Sequence, residues 1–208
     1  MRSLLLPLGL VLSTSVLAQD KGFISGTAAF DSRNVDADGS LSDRTITTGT
    51  FGPAVGYNLS PVHVIGLSLS HTGSSEEYQE FTGLFVLDIK ERRTLTTIAP
   101  FYRYMKSMNE KFLLYGQFKA GFGFGKETME AGTTESEAAL NTIDLRVGPG
   151  LVYLLADRWA LSADWGVLGY YAQERTQETL STDVVTSTSG FQASLDTANL
   201  SLALNWLF

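Results

Sequence analysis

Residues 200–208 read LSLALNWLF. Every second side chain is large and apolar (Leu200, Leu202, Leu204, Trp206, Phe208), and between them stand Ser201, Ala203, Asn205 and Leu207. Strict alternation marks a β-strand with two unlike faces. Chain ends ordinarily fray into water. A terminal strand this apolar therefore needs neighbouring strands and a medium that takes up its greasy face.

The other end of the sequence indicates the compartment. Arg2 precedes an apolar run from Leu4 to Leu12, then Ser13–Ser15, and small residues at Val16 and Ala18. This order is that of a secretory signal peptide, residues 1–18, and the run is too short for a membrane helix. Cleavage after Ala18 leaves a mature domain of residues 19–208. The chain has no cysteine, which excludes a disulfide framework and a lipid-modified N-terminus. Without Arg2 the mature chain has 14 bases against 22 acids, a net charge of −8. Such a chain lacks the basic stripe that nucleic-acid binding needs. Mean hydropathy is only +0.05, as expected when apolar and polar faces are averaged.

Period-2 segments recur along the mature chain, near 22–32, 45–58, 62–72, 94–105, 111–124, 141–154, 159–172 and 196–208. Their lengths suit tilted strands crossing a bilayer. The connections alternate between tight (Asn58–Pro61, Lys106–Glu110, Leu155–Arg158) and long (Ser32–Arg44, Thr72–Arg93, Gly125–Leu140, Gln173–Leu195). Short periplasmic turns and long extracellular loops are the pattern of an eight-stranded, antiparallel, up-and-down transmembrane β-barrel. The even-numbered strands share an internal echo, TFGPAVGYNL, TIAPFYRYMK and RVGPGLVYLL, aligned on Pro53, Pro100 and Pro149. Proline lacks a ladder donor, so bulges or kinks are expected at all three. Tyr57, Tyr104 and Tyr153 each follow their proline by four residues, where a periplasmic aromatic girdle belongs.

Side-chain volume decides which face is outside. One face carries Phe51, Tyr57, Leu67, Tyr102, Phe118, Phe122, Leu145, Trp159, Tyr171, Leu204 and others like them; the other carries Gly52, Gly56, Gly66, Ser68, Gly121, Gly150 and Ser162. An eight-stranded barrel has an interior just wide enough for its own side chains. The aromatic face would overfill it, so that face points outward, and lipid is its partner. This excludes a soluble barrel with an apolar interior. The same parity sends Arg103, Lys119, Asp144, Arg146 and Asp164 into the lumen. A packed ion-pair network is the favoured reading of this cluster, with Arg146 and Asp164 pairing across their turn; a charged constriction of a narrow passive channel is the alternative.

With these strands in place, the chain resembles the small outer-membrane β-barrel domain family of Gram-negative bacteria, porin-like and similar to the eight-stranded X, W and A outer-membrane barrels. The carriers are GPAVGYNLSPVHVIGLSLSH, IAPFYRYMKSMNEKFLLYGQFKAGFGFG, RVGPGLVYLLADRWALSADWGVLGYY and LSLALNWLF. The resemblance implies an outer-membrane location. It also implies that Leu204, Trp206 and Phe208 form a signal read by the barrel-assembly machinery. It supplies no shared catalytic set.

Other constellations are weak. Asn34, Asp36, Asp38 and Gly39 match the start of a calcium loop, but position twelve is Thr45 instead of a bidentate glutamate. An acidic turn explains them as well. His63 and His71 are the only histidines, both on the face of Leu67 and Leu69, with no assembled nucleophile and orienter. A lipid-acting enzyme is thus the least favoured reading, and no cofactor or metal is expected. Counting the first from Asp31, the four long loops carry −2, −2, −3 and −2, so the barrel is near neutral and the negative charge sits outside. The sequence points to a monomeric, non-enzymatic envelope protein with a structural or surface-interaction role through acidic loops. It names no extracellular partner.

Overall fold

A computed structural model describes residues 21–35, 44–81, 86–165, 167–177, 183–194 and 201–208. The signal segment 1–18, Asp36, Asp38, Gly39, Gly166 and Leu200 lie outside the described residues. All regular structure among the described residues is β. Ten strands follow one another: β1 Gly22–Val35, β2 Arg44–Ser60, β3 His63–Phe81, β4 Val86–Ser107, β5 Phe112–Ala131, β6 Thr134–Ala156, β7 Trp159–Asp164, β8 Val167–Gln177, β9 Val184–Ser194 and β10 Ser201–Leu207.

Every pairing is antiparallel, and the sheet closes on itself. The order runs β5-β4-β3-β2-β1-β10-β7-β6, with β6 returning to β5. The wall of the periplasmic half thus has eight staves. The count of ten arises because the seventh predicted strand, 159–172, is interrupted, with β8 continuing β7 along β6, and because β9 forms within the segment read as the long loop Gln173–Leu195, where it pairs with β8. The terminal strand closes the barrel against the first, with Phe23 opposite Leu207 and Thr27 opposite Ala203. Gly22 and Phe208 each donate an N–H to the other's carbonyl at 3.0 Å.

The predicted strand ends are too short on the extracellular side. Paired strand continues to Phe81 and Val86 between β3 and β4, and to Ala131 and Thr134 between β5 and β6. Most of the segments read as loops 72–93 and 125–140 is therefore hairpin. These extensions are largely polar, with only Ile89, Ala138 and Leu140 buried among them, so they carry no sustained apolar alternation. Charged partners take its place, on neighbouring strands for Lys90 with Glu77, Arg44 with Glu76 and Lys126 with Glu137 at 2.5 Å, and across β6 for Arg175 with Glu127 at 2.6 Å. Gly132 makes the β5–β6 tip with φ +61°, a left-handed conformation that glycine adopts without strain. The periplasmic turns are closed by side chains instead. Ser60 Oγ accepts from the backbone of Val62 and His63, and Asn109 Oδ1 accepts from Lys111 and Phe112.

Bulges at all three prolines do not form. Each proline pairs with the preceding strand (Gly26–Pro53, Leu67–Pro100, Gly116–Pro149) and turns its missing donor toward the following one. Around Pro53 and Pro100 the ladder on that side skips a step without changing register. An antiparallel residue bonds to one neighbour only, so a lost donor need not shift the strand. Pro149 differs. Gly150 faces Asp164 but Val147 faces Leu168, so three residues separate the two partners on this side where β6 has two. Trp165 N–H reaches the Pro149 carbonyl at 3.2 Å within this bulge.

That single extra residue exchanges the two faces of β8, because side-chain parity is two. Tyr171, expected among the outward aromatics, faces Asp144 across the ladder and lines the lumen. Leu168 and Tyr170 take the outward positions, Tyr170 against Phe191 with ring centroids 5.2 Å apart. Below the bulge the volume argument holds: Phe51, Tyr57, Leu67, Phe118, Phe122, Trp159 and Leu204 are all exposed on the outer surface.

Candidate functional site: the charged lumen

The periplasmic half of the lumen is apolar, a feature the small-residue face did not announce. Phe23, Val64, Phe101, Met105, Leu113, Tyr115, Val152, Leu154 and Leu207 form one buried cluster. Room for the rings comes from glycine. Phe23 stands opposite Gly56, Phe101 opposite Gly66 and Tyr115 opposite Gly150. A Cβ on any of these three glycines would come within 2.3 Å of the facing ring. Each glycine is a recess cut for an aromatic side chain on the neighbouring strand.

Arg103 is set into this layer. Its guanidinium carbon lies 5.2, 5.0 and 4.6 Å from the ring centroids of Phe23, Phe101 and Tyr115. Such stacking is available to arginine because its planar cation is weakly hydrated. Arg103 Nε donates to Gln117 Oε1 at 2.5 Å, and the residue is 8% exposed. Tyr115 donates its hydroxyl to Asp164 Oδ1 at 2.6 Å. Asn205 caps the neighbouring wall by donating to the Ala160 carbonyl and to Ser162 Oγ.

The five charges assigned to the lumen do share one interior, but not in the expected pairs. Arg146 contacts Asp144, two residues away on its own strand, and Asp164 is taken by Tyr115. The separation along the strands explains this: Asp164 stands opposite Gly150, four residues along β6 from Arg146, which itself faces Gly169. Lys119 lines both the upper cavity, of about 630 Å³, and a lower one of about 110 Å³. Beneath them a pocket of about 20 Å³ remains among Phe23, Arg103, Met105, Val152 and Leu207. The lumen is a funnel that narrows toward the periplasm.

Several contributors were not singled out by sequence. Gln117 lies two residues before Lys119 and shares its face, so parity could have found it. Tyr115 and Phe101 share the inner face with Gln117 and Arg103 in the same way. Arg93 was placed in a loop. It lines the upper cavity and donates to Gln173 Oε1 at 2.6 Å. Tyr171 needed the bulge.

The remaining sequence assignments fall elsewhere. Asn34 is paired across β1–β2 with Thr45, whose hydroxyl donates to Asn34 Oδ1 at 3.1 Å. The two ends of the calcium-like pattern are thus strand partners, and no cluster of three metal-ligating side chains occurs among the described residues. His63 Nδ1 lies 2.6 Å from the Tyr102 hydroxyl, and its ring packs against Tyr102 and Tyr104 on the outer surface. His71 bonds Thr96 at 3.0 Å on the same surface. The two histidines are eight residues apart along one strand and approach no acid. Tyr57 and Tyr104 are exposed on the outer surface near the tight turns, and Tyr153 packs on Phe112 with centroids 4.7 Å apart. Trp206 and Phe208 lie side by side at the same end, 5.6 Å between rings, while Leu204 is exposed one step up the strand.

Comparison with known proteins agrees with this architecture. The profile of the family described as outer membrane protein beta-barrel domain matches residues 4–208. Among solved structures, a major outer membrane protein from Thermus thermophilus is 12% identical, with a TM-score of 0.51 over 90% of this chain and 98% of that one. Neisserial surface protein A is 14% identical, with a TM-score of 0.45 over 90% and 97%. No match emerges among curated protein sequences.

Proposed function

The chain belongs to the outer membrane protein beta-barrel domain family, and from that membership we propose that it is a structural, non-enzymatic barrel of the outer membrane that presents a surface for interaction and does not conduct. The observation that carries the reading is the closed periplasmic end of the lumen, where Phe23, Met105, Val152 and Leu207 leave about 20 Å³ around Arg103. A hydrated ion does not fit that layer, and a cation would also have to pass the Arg103 guanidinium.

The part offered to the outside is the raised set of hairpins. Ion pairs across β2–β3, β3–β4 and β5–β6 hold their charged side chains in fixed places on a stiff sheet. Rigid display favours recognition because less freedom is lost on binding. The extracellular partner is a macromolecule or ion that tolerates an acidic surface. Leu204, Trp206 and Phe208 serve biogenesis, as the segment by which the assembly machinery takes up the chain.

Planar-bilayer recording of the refolded protein tests the central claim. Wild type gives no stable single-channel steps. Persistent, ion-selective steps that change in Arg146→Ala would replace this reading with the narrow passive channel.

A further inference from the structure

We propose that the upper lumen is a binding vestibule for a small hydroxylated anion, of the class of sugar acids and sugar phosphates, with Lys119 at its floor. The first observation is a charge imbalance. Among the described residues the two cavities hold the cations Arg93, Arg103, Lys119 and Arg146 but only the carboxylates Asp144 and Asp164. Asp144 is engaged by Arg146, and Asp164 by the Tyr115 hydroxyl. Arg93 and Arg103 are bonded to the neutral amides of Gln173 and Gln117. Lys119 makes no hydrogen bond or ion pair with a described residue. The lining of these two cavities therefore carries two positive charges in excess inside a chain of net charge −7. An ammonium withdrawn from bulk water needs a counter-charge, and walls of low polarity focus its field on the cavity above.

The second observation is the hydroxyl lining, which distinguishes a sugar-like anion from a bare ion. Thr27 Oγ1 donates to the Gly52 carbonyl at 3.0 Å, so its oxygen offers lone pairs to the cavity. Thr50 and Thr72 bond each other at 3.0 Å, which leaves one hydroxyl hydrogen between them. Gln173 has its oxygen committed to Arg93, so its amide hydrogens face outward as donors. Cations, fixed acceptors and fixed donors thus converge on one volume of about 630 Å³, within the size range of small-molecule sites. Tyr171, turned inward by the bulge and seated over Gly190, adds a flat face on the same wall, and aromatic faces suit the apolar side of a sugar ring.

The ligand enters and leaves from the outside, a clause that rests on the closed-lumen reading. Binding itself does not, so calorimetry and bilayer recording fail independently. The refolded protein in detergent is titrated with glucuronate, glucose and inorganic phosphate. Glucuronate gives a saturable heat that weakens about tenfold or more in Lys119→Met, the loss expected for one charge-assisted hydrogen bond. It is largely kept in Lys119→Arg, and glucose gives no heat. Heat-modifiable gel mobility verifies that both variants fold. No saturable heat with wild type, or unchanged affinity in Lys119→Met, overturns the proposal. Phosphate bound as tightly as glucuronate overturns its hydroxylated part. Repeating the titration in vesicles with added lipopolysaccharide separates two sources of the same chemistry. Glucuronate binding that disappears there assigns the ligand to acidic sugars of the surface lipid, and binding that persists assigns it to a free solute.

Discussion

Phe101 and Thr97 lie four residues apart on the same face of the same strand, and both look into the lumen. Around Phe101 the interior is filled: rings sit on glycines, a guanidinium is enclosed by three of them, and about 20 Å³ is left below. Around Thr97 the interior is open, lined by hydroxyls, amides and unbalanced positive charge over about 630 Å³. The wall is continuous between the two levels, so the difference comes only from what the inward positions carry. A narrow barrel can thus be sealed and receptive at once, provided that the seal and the cavity occupy different heights.

Four changes probe that division. Phe101→Ala has the largest effect, because it empties a filled recess opposite Gly66. The expected loss is about 3–5 kcal/mol of stability, read by urea unfolding in detergent micelles, and a stability equal to wild type breaks the idea of a packed seal. Arg103→Met comes next. It removes a cation enclosed by three rings, worth about 2 kcal/mol when desolvated, while leaving the volume nearly unchanged. Urea unfolding should register the loss, with heat-modifiability retained. Tyr115→Phe deletes one hydrogen bond to a carboxylate and should cost about 1.5 kcal/mol. The measurement that sharpens it is a double cycle with Asp164→Asn, in which the second change adds little once the first is made.

The smallest effect lies above the vestibule. A hydrogen bond from the Lys126 amine to Glu137, and then the charge of Glu137, hold that amine above the ordinary lysine range. The sign follows from linkage. A raised folded-state value contributes stability that is complete below the unfolded lysine value and is lost as pH climbs through the folded one. Glu137→Gln should return the amine toward its ordinary titration, observed by NMR of the methylated lysine, with no resolvable change in unfolding. A measurable loss of stability would mean that the hairpins matter to the barrel more than their exposure allows.

Much of this molecule is legible in its sequence, and the failures share a cause. Alternation located the eight staves because lipid on one side and a crowded lumen on the other leave no freedom of parity. The polar hairpins escaped because, away from lipid, polar side chains are tolerated on both faces, so ion pairs such as Lys126–Glu137 hold a strand that no periodicity reveals. The inward charges Arg103, Lys119, Asp144, Arg146 and Asp164 followed from parity, yet their partners did not. Partnership depends on which residues the ladder sets level with each other, and Asp164 stands opposite Gly150, four residues along β6 from Arg146. The bulge beside Pro149 sent Tyr171 inward. The aromatic seal was hidden for a related reason: Gly56, Gly66 and Gly150 read as small residues filling a narrow space, when each is half of a cross-strand pair whose other half is a ring.

The seam between the first and last strands carries a mechanical consequence. Among the described residues β1 is joined to the end of the chain only from Gly22–Phe208 to Thr27–Ala203, whereas β3 and β4 run paired from His63 to Phe81. The barrel resembles a bracelet whose links from β1 to β6 are long and whose clasp is short. Those long seams join neighbours in sequence and can form as local hairpins; the clasp joins residues from opposite ends of the chain and must wait for the rest. Under load, or at the onset of denaturation, it is the first seam to part, and the amides of residues 23–27 should exchange hydrogen ahead of those along β3 and β4.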